Sequence, residues 1–226
     1  MHPLIQTMLL TALVPSLVAG VFALTASWLP PGRWRSGVVA AGLAVAWCAG
    51  SWLAVRAPRW PAMQAADWQF YAVAAAGVIA LITPFLDLKR AWSWLAGFVF
   101  FAVFFALLLQ RMLAGLWPGP GALVWPLGLA ALALINAGAV SRVGHSVQAA
   151  WTFFALLVFS VFSSALLTLS GAVSLGHSAG LLASACGAVW LVSWALRRQV
   201  EMGPTGFVAA TIGVGLLTQG VVLSDL

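Results

Sequence analysis

The chain reads VQAAWTFFALLVFSVFSSALLTL from Val147 to Leu169, without one Asp, Glu, Lys or Arg. A helix rises about 1.5 Å per residue and the hydrocarbon core of a bilayer is about 30 Å thick, so about 20 apolar residues are needed to cross it. A membrane-spanning strand would alternate between apolar and polar residues, whereas this run is apolar on every face. The stretch therefore predicts a transmembrane helix.

Seven further runs of similar length and composition predict seven more transmembrane helices. The eight runs cover residues 4–28, 36–55, 68–86, 91–109, 122–140, 147–169, 174–196 and 206–223. The connections between them are short and leave no room for a soluble domain. We therefore expect an all-α polytopic transmembrane helix bundle that forms a single transmembrane domain over residues 1–226. If the weak boundary from Ser170 to Ser178 is a kink or a re-entrant turn, the number of spans falls to seven.

The composition explains why lipid must surround most of this chain. Of its 226 residues, 63% are hydrophobic and 6% are charged, whereas a soluble domain carries about a quarter charged residues. So few charges cannot solvate the exterior of a soluble protein of this size. The net charge of +6 is spread in ones and twos between apolar runs, which argues against a nucleic-acid partner.

The basic residues predict an orientation in the membrane. Connections one, three, five and seven hold seven Lys and Arg residues, and connections two, four and six hold three. The positive-inside rule then predicts both termini outside, in what we expect to be a bacterial inner (plasma) membrane. The first run has no Lys or Arg before it and exceeds a signal-peptide core of about 7–15 residues, so we expect it to be retained.

Small residues recur at four-residue spacing on two predicted helices, where they would let a neighbouring helix approach closely. They are Gly42, Ala46 and Gly50 on the second helix and Gly176, Gly180 and Ser184 on the seventh. We interpret these rows as helix-packing faces. A sequence this rich in Ala and Gly also produces such spacings by chance, so both interpretations stay open.

Hydroxyl and amide side chains lie along the sixth and eighth predicted helices. The set comprises Ser160, Ser164, Thr168, Thr211, Thr218 and Gln219. Such hydroxyls can donate to the carbonyl one turn earlier and stabilise only their own helix. The alternative is that the six side chains line one polar cavity.

One short segment matches a catalytic signature. Residues 176–180 read GHSAG, which fits the G-x-S-x-G pattern of α/β hydrolases. That pattern requires a strand before the serine and a histidine later in the chain, and this sequence provides neither. We therefore expect no catalysis by Ser178 and interpret the segment as a tight turn that opens the seventh helix, with Ser178 as its cap. Three scattered histidines and two cysteines also predict no metal or cofactor site.

The functional hypotheses follow from where charge is absent. Every Asp, Glu, Lys and Arg falls at or near a predicted helix end, whereas ion-coupled transporters commonly keep such a group in mid-membrane. The leading hypothesis is a non-enzymatic membrane subunit or scaffold, whose partners are the lipid bilayer and a membrane protein or a second copy of the chain. The alternative is a carrier or channel for a small neutral or lipid-like solute, through the cavity of Ser and Thr residues.

Overall fold

In the computed structural model, eight helices within the described residues are long and apolar enough to cross a membrane. The structure describes residues 3–30, 32–55, 57–86, 90–115, 119–146, 149–196 and 203–222, and these ranges contain no strand. The predicted all-α bundle of eight transmembrane helices is confirmed. Numbered α1 to α8 in chain order, the helices are Pro3–Trp28, Arg33–Gly50, Ala65–Ile82, Arg90–Leu108, Val124–Ser146, Ala149–Leu169, Val173–Leu196 and Gly203–Val222.

Shorter helical segments extend or connect these spans. A π-helical turn, Ser51–Val55, continues α2, and a 3₁₀ turn, Thr83–Phe85, follows α3. A short helix, Gln110–Gly115, follows α4, and a 3₁₀ turn, Pro120–Leu123, precedes α5.

Four spans extend three or more residues beyond the predicted runs, because helical hydrogen bonding does not stop where hydropathy falls. Helix α2 begins at Arg33 rather than residue 36. Helix α3 begins at Ala65 rather than residue 68, where Gln64 and Asp67 form a capping box. Helix α5 continues to Ser146, beyond Arg142 and six residues past the predicted end. Helix α8 begins at Gly203 with Pro204 in its first turn, where proline is tolerated.

The boundary that left seven spans open is a turn between two antiparallel helices. Helix α6 ends at Leu169 and α7 begins at Val173, with Gly171 between them at φ +91°. The Ser164 hydroxyl donates to the Gly176 carbonyl at 2.7 Å, and further from the turn the rings of Phe154 and Trp190 are 5.3 Å apart. Because α6 and α7 contact each other both near the turn and further from it, they form a helical hairpin and are separate spans.

Helices α2 and α8 lie at the centre of the bundle, and α1, α4, α5 and α6 are the most exposed. One core cluster joins α1, α2, α3, α6, α7 and α8, and a second joins α4 and α5 to α8. Phe100 and Phe207 pack against both clusters. Exposed tryptophans such as Trp28 and Trp194 lie at one end of the bundle and Trp52 and Trp125 at the other, as in the aromatic belts of membrane proteins.

The small-residue row of α2 lies inside the bundle. Gly42, Ala46 and Gly50 are buried. A Cβ added at Gly42 would overlap Phe22 of α1, and one at Gly50 would lie 2.7 Å from Leu181 Cδ2 of α7. The absent side chains therefore let α2 approach both neighbours.

The row on α7 contacts α6 and α1. A Cβ at Gly176 would overlap Thr168 Oγ1 and lie 3.0 Å from the Ser164 carbonyl oxygen. The Ser184 hydroxyl donates to the Gly180 carbonyl at 3.0 Å, and the Ser184 carbonyl accepts from Ser16 of α1 at 3.2 Å. These contacts hold α7 between α6 and α1.

Candidate functional site

The six predicted cavity residues are divided among different contacts. Four of the hydroxyls donate to backbone carbonyls: Ser164 to Gly176, Thr168 to Ser164, Thr211 to Phe207 and Thr218 to Val214. In three of these four bonds the acceptor is the carbonyl four residues earlier, so these three hydroxyls find their hydrogen-bond partner within their own helix. Ser160 borders a void of about 10 Å³ between α6, α7 and α8, which is about the space of one water molecule. Of the six, only Gln219 borders the polar cavity described below.

Gln219 pairs with a buried glutamine that the sequence did not single out. Its amide Nε2 donates to Oε1 of Gln69 on α3, and Gln69 Nε2 donates to the Ile212 carbonyl of α8 at 3.0 Å. Both side chains are at most 5% exposed. An unpaired amide in lipid costs several kcal/mol. These two hydrogen bonds avoid that cost and link α3 to α8.

Local sequence explains why the two glutamines meet. Ile212, Gly215 and Gln219 follow one another at three- and four-residue spacing, which places them on one face of α8. A Cβ at Gly215 would lie 3.0 Å from Gln69 Nε2 and 3.0 Å from Phe104 Cζ. Glycine at this position therefore gives the Gln69 side chain room to reach the Ile212 carbonyl.

A tryptophan joins α2 to α7 beside this pair. Trp47, 2% exposed, donates from Nε1 to the Ser178 carbonyl at 2.9 Å. The Ser178 hydroxyl donates to the Ser174 carbonyl at 3.0 Å. The prediction that residues 176–180 open the helix with Ser178 as its cap is wrong, because α7 already begins at Val173. Ser178 is a buried residue of the second turn.

Asp67 holds the connection between α2 and α3 against this end of the bundle. The carboxylate is 1% exposed and accepts backbone N–H bonds from Arg59 at 3.2 Å, Met63 at 3.2 Å and Gln64 at 3.1 Å. Tyr71 donates to the Arg59 carbonyl, and Arg111 Nη2 donates to the Met63 carbonyl at 2.8 Å. Side chains of α3 and of the short helix Gln110–Gly115 thus fix one loop.

These contacts border a cavity of about 210 Å³ between α2, α3, α7 and α8, which we call the glutamine cavity. Its polar lining residues are Trp47, Ser51, Gln64, Asp67, Gln69, Ser174, Ser178 and Gln219. Amide, hydroxyl and carboxylate groups can bind water or a small polar molecule here by hydrogen bonds. Gln69 is absent from the six predicted cavity residues, because those lie on the sixth and eighth predicted helices and Gln69 lies near the start of the third.

A second concave surface faces the lipid between α2 and α3, and we call it the α2–α3 groove. It has a volume of about 560 Å³ and is lined by Ala41, Ala44, Val45, Cys48, Ala49, Trp52, Leu53, Phe70, Ala74, Gly77, Val78 and Leu81. Its floor includes Ala41 and Ala44, which are at most 2% exposed, and its edges include Val45 and Val78, which are exposed. The groove is thus apolar and has a floor of small residues.

No family model, curated protein or solved structure matches the chain. Its function is therefore inferred from its own residues. In the described part of the chain, no group of three or more His, Cys, Asp and Glu residues is placed to hold a metal ion. Of the three histidines, His2 and His145 lie outside the residues whose side chains are described. Cys48 and Cys186 are free thiols.

Proposed function

We propose that the chain is a non-enzymatic membrane subunit or scaffold that packs against a transmembrane helix of a partner membrane protein. The observation that supports this proposal is the α2–α3 groove. In lipid the hydrophobic effect does not drive helices together, so association relies on close packing over small residues. Ala44 and Gly77 bring α2 and α3 together at the floor of the groove, since a Cβ at Gly77 would lie 2.7 Å from Ala44 Cβ. The exposed Val45 and Val78 at the edges of the groove are left for a partner helix to contact.

The dimensions of the groove fit one helix. From Ala41 on α2 to Trp52 in the π-helical turn that continues it, the groove runs over eleven helical steps, or about 16 Å. A helix about 10 Å wide, sunk to half its width over that length, displaces about 600 Å³. The groove volume of about 560 Å³ is close to that value.

The shape favours a different protein over a second copy as the occupant. A symmetric dimer pairs the same patch of both copies, so it requires a self-complementary surface. Two concave grooves placed face to face would leave a void between them. The partner therefore presents a convex surface, as a single helix does.

A photo-crosslinking amino acid tests this proposal in native membranes. Placed at Val78 on the edge of the groove, it should give one adduct of defined mass with a membrane protein. The matched control is Val99 on α4, which is 52% exposed, close to the 55% of Val78. Equal labelling from both positions, or an adduct only with a second copy of the chain, would contradict the proposal.

Filling the groove gives a second test. Ala74 lines the groove and its neighbour Ala75 does not, although both lie on α3. Ala74→Leu should prevent the partner from co-purifying in mild detergent, and Ala75→Leu should not. A strictly monomeric wild-type protein without bound subunits would count heavily against a subunit role.

A carrier for a small neutral or lipid-like solute is the second candidate, favoured by the glutamine cavity. The cavity lies between α2, α3, α7 and α8, where a polar solute could exchange hydrogen bonds with Gln69 and Gln219. Ser174→Phe, which fills the cavity, should then abolish solute flux into vesicles. Ser170→Phe, in the adjacent turn, should retain it. Equal flux in the two variants would exclude this cavity as the path.

For the orientation we propose that both termini lie outside the bacterial plasma membrane. Support comes from the end of the bundle where α2, α4, α6 and α8 begin, which we call the basic end. The connections there hold seven of the ten Lys and Arg residues, and such residues are enriched on the cytoplasmic side. A reporter fused after Leu226 should be active only if it folds outside. Activity of a cytoplasmic reporter there would reverse the orientation.

A further inference from the structure

A larger cavity opens at the basic end between α3, α4, α5 and α8. It has a volume of about 620 Å³, and we call it the basic-end cavity. Its lining residues are Ser36, Ile79, Ala80, Thr83, Pro84, Leu86, Ser93, Trp94, Ala96, Gly97, Phe100, Leu134, Ala137, Gly138, Ser141, Pro204 and Phe207. Neither the proposed subunit role nor the carrier role uses it.

Polarity changes with depth along the walls of this cavity. Ser93 lies in the first turn of α4, and Ser141 lies five residues before the end of α5. Phe100 on α4 and Leu134 on α5 line the same cavity seven residues deeper, which corresponds to about 10 Å along each helix. The mouth therefore carries hydroxyl groups and the interior is apolar.

Aromatic side chains give the interior a defined shape. The rings of Phe100 and Phe207 are 5.0 Å apart. A Cβ at Gly138 would lie 2.8 Å from Trp94 Cη2, so the indole packs directly against the α5 backbone. Rings that pack against one another and against backbone leave a preformed space, and such a space binds an apolar chain at a lower entropic cost.

The cavity is also open toward the bilayer. Among its lining residues, Ile79 is 39% exposed, Trp94 is 38% exposed and Ala96 is exposed. A molecule can therefore enter from the lipid between α3 and α4. The apolar α2–α3 groove, on another face of α3, has no polar mouth of this kind.

Two described arginines are sequence neighbours of residues that line the cavity. Arg35 precedes the lining residue Ser36 and is 7% exposed, with its Nη2 donating to the Leu29 carbonyl. Arg142 follows the lining residue Ser141 and is exposed. The connections at this end hold seven basic residues against two acidic ones, Asp87 and Glu201. Basic pockets between transmembrane helices favour anionic headgroups.

We propose that the basic-end cavity binds one acidic phospholipid from the surrounding leaflet. One acyl chain lies in the apolar interior between Phe100, Leu134 and Phe207. The phosphate lies at the mouth, where it accepts a hydrogen bond from the Ser141 hydroxyl and is attracted by the positive charges of Arg35 and Arg142. This site is independent of the α2–α3 groove, so either proposal can fail without the other.

Native mass spectrometry of the detergent-solubilised protein tests the lipid site. Phosphatidylglycerol and phosphatidylcholine with identical acyl chains are titrated separately. Each nearby basic residue contributes enough attraction for about a fivefold effect, so phosphatidylglycerol should bind at least about tenfold more tightly. Equal affinity for the two lipids would overturn the headgroup assignment. Displacement of phosphatidylglycerol by millimolar inorganic phosphate would show that the site takes free phosphate instead.

Two pairs of variants localise the binding. Ala96→Phe fills the cavity and should abolish phosphatidylglycerol binding, whereas Ala91→Phe, also exposed on α4 but outside the cavity, should retain it. Arg142→Gln should lower the preference for phosphatidylglycerol about fivefold, and Arg59→Gln at the opposite end should not. Both arginines are exposed, so these changes do not threaten folding. An equal effect of the two arginine variants, or retained binding in a folded Ala96→Phe protein, would overturn the site.

Discussion

The two ends of the bundle use polar side chains in different ways. At the end that holds the glutamine cavity, Gln69, Gln219, Trp47 and Asp67 bond to side chains or backbone of other segments and fix helices and a loop. At the basic end, Ser36, Ser93 and Ser141 border a cavity three times as large, whose interior is apolar. A polar residue in a membrane bundle therefore stabilises helix contacts where its hydrogen-bond partner lies on another helix. The serines at the basic end border the mouth of the larger cavity, beside the proposed lipid headgroup.

The largest expected effect comes from adding one methyl group at the end of the bundle that holds the glutamine cavity. Gly176→Ala places a Cβ against Thr168 Oγ1 and the Ser164 carbonyl, so we expect a loss of about 3 kcal/mol of unfolding free energy. Gly213→Ala, where nothing lies within 4 Å of the added Cβ, should instead stabilise α8 by about 0.5 kcal/mol. Equilibrium unfolding in mixed micelles measures both changes. Effects of the same sign would refute the close contact of α6 and α7.

Breaking the glutamine pair should cost somewhat less. Gln219→Leu leaves Oε1 of Gln69 buried without its donor, so we expect a loss of about 2 kcal/mol. Adding Gln69→Leu removes the orphaned amide and should restore part of that stability, because two apolar side chains of similar shape need no hydrogen bonds. A double variant whose loss equals the sum of the two single losses would show that the pair does not couple α3 to α8.

Removing the loop anchor should have a smaller, local effect. Asp67→Ala leaves the backbone amides of Arg59, Met63 and Gln64 without their carboxylate acceptor, at a cost of about 1 kcal/mol. Hydrogen exchange should then accelerate at Met63 and Gln64 and stay unchanged in α6. Asp67→Asn keeps an acceptor oxygen and should show an intermediate rate. Unchanged exchange in Asp67→Ala would contradict the anchoring role.

The smallest effect is expected on the hydroxyl row of α6. Thr168 is exposed and donates to the Ser164 carbonyl of its own helix. Thr168→Val should therefore change the unfolding free energy by less than about 0.5 kcal/mol. A loss as large as that of Gln219→Leu would show that hydroxyls and amides contribute alike, and the contrast between within-helix and between-helix bonds would not hold.

The spans were predictable from the sequence because hydrocarbon imposes one rule on every segment that crosses it. Val147 to Leu169 needed only length and absence of charge to be assigned. The start of α3 was not predictable from hydropathy, since the capping box of Gln64 and Asp67 extends the helix into a polar segment. Hydropathy also did not predict which side chains contact each other between distant parts of the chain. Gln69 and Gln219 are 150 residues apart, and no local pattern indicates which of several polar residues a given amide will contact.

Cysteine cross-linking in the native bilayer tests the contact between α3 and α8, which is the central feature of the end that holds the glutamine cavity. In a Cys48→Ala, Cys186→Ala background, the Gln69→Cys, Gln219→Cys protein should be joined efficiently by a short bifunctional thiol reagent. The matched protein carries Gln69→Cys with Gly213→Cys, whose α8 position borders the void beside α6, and it should stay unlinked. Efficient linking of the second protein and not of the first would contradict the packing of α8 against α3.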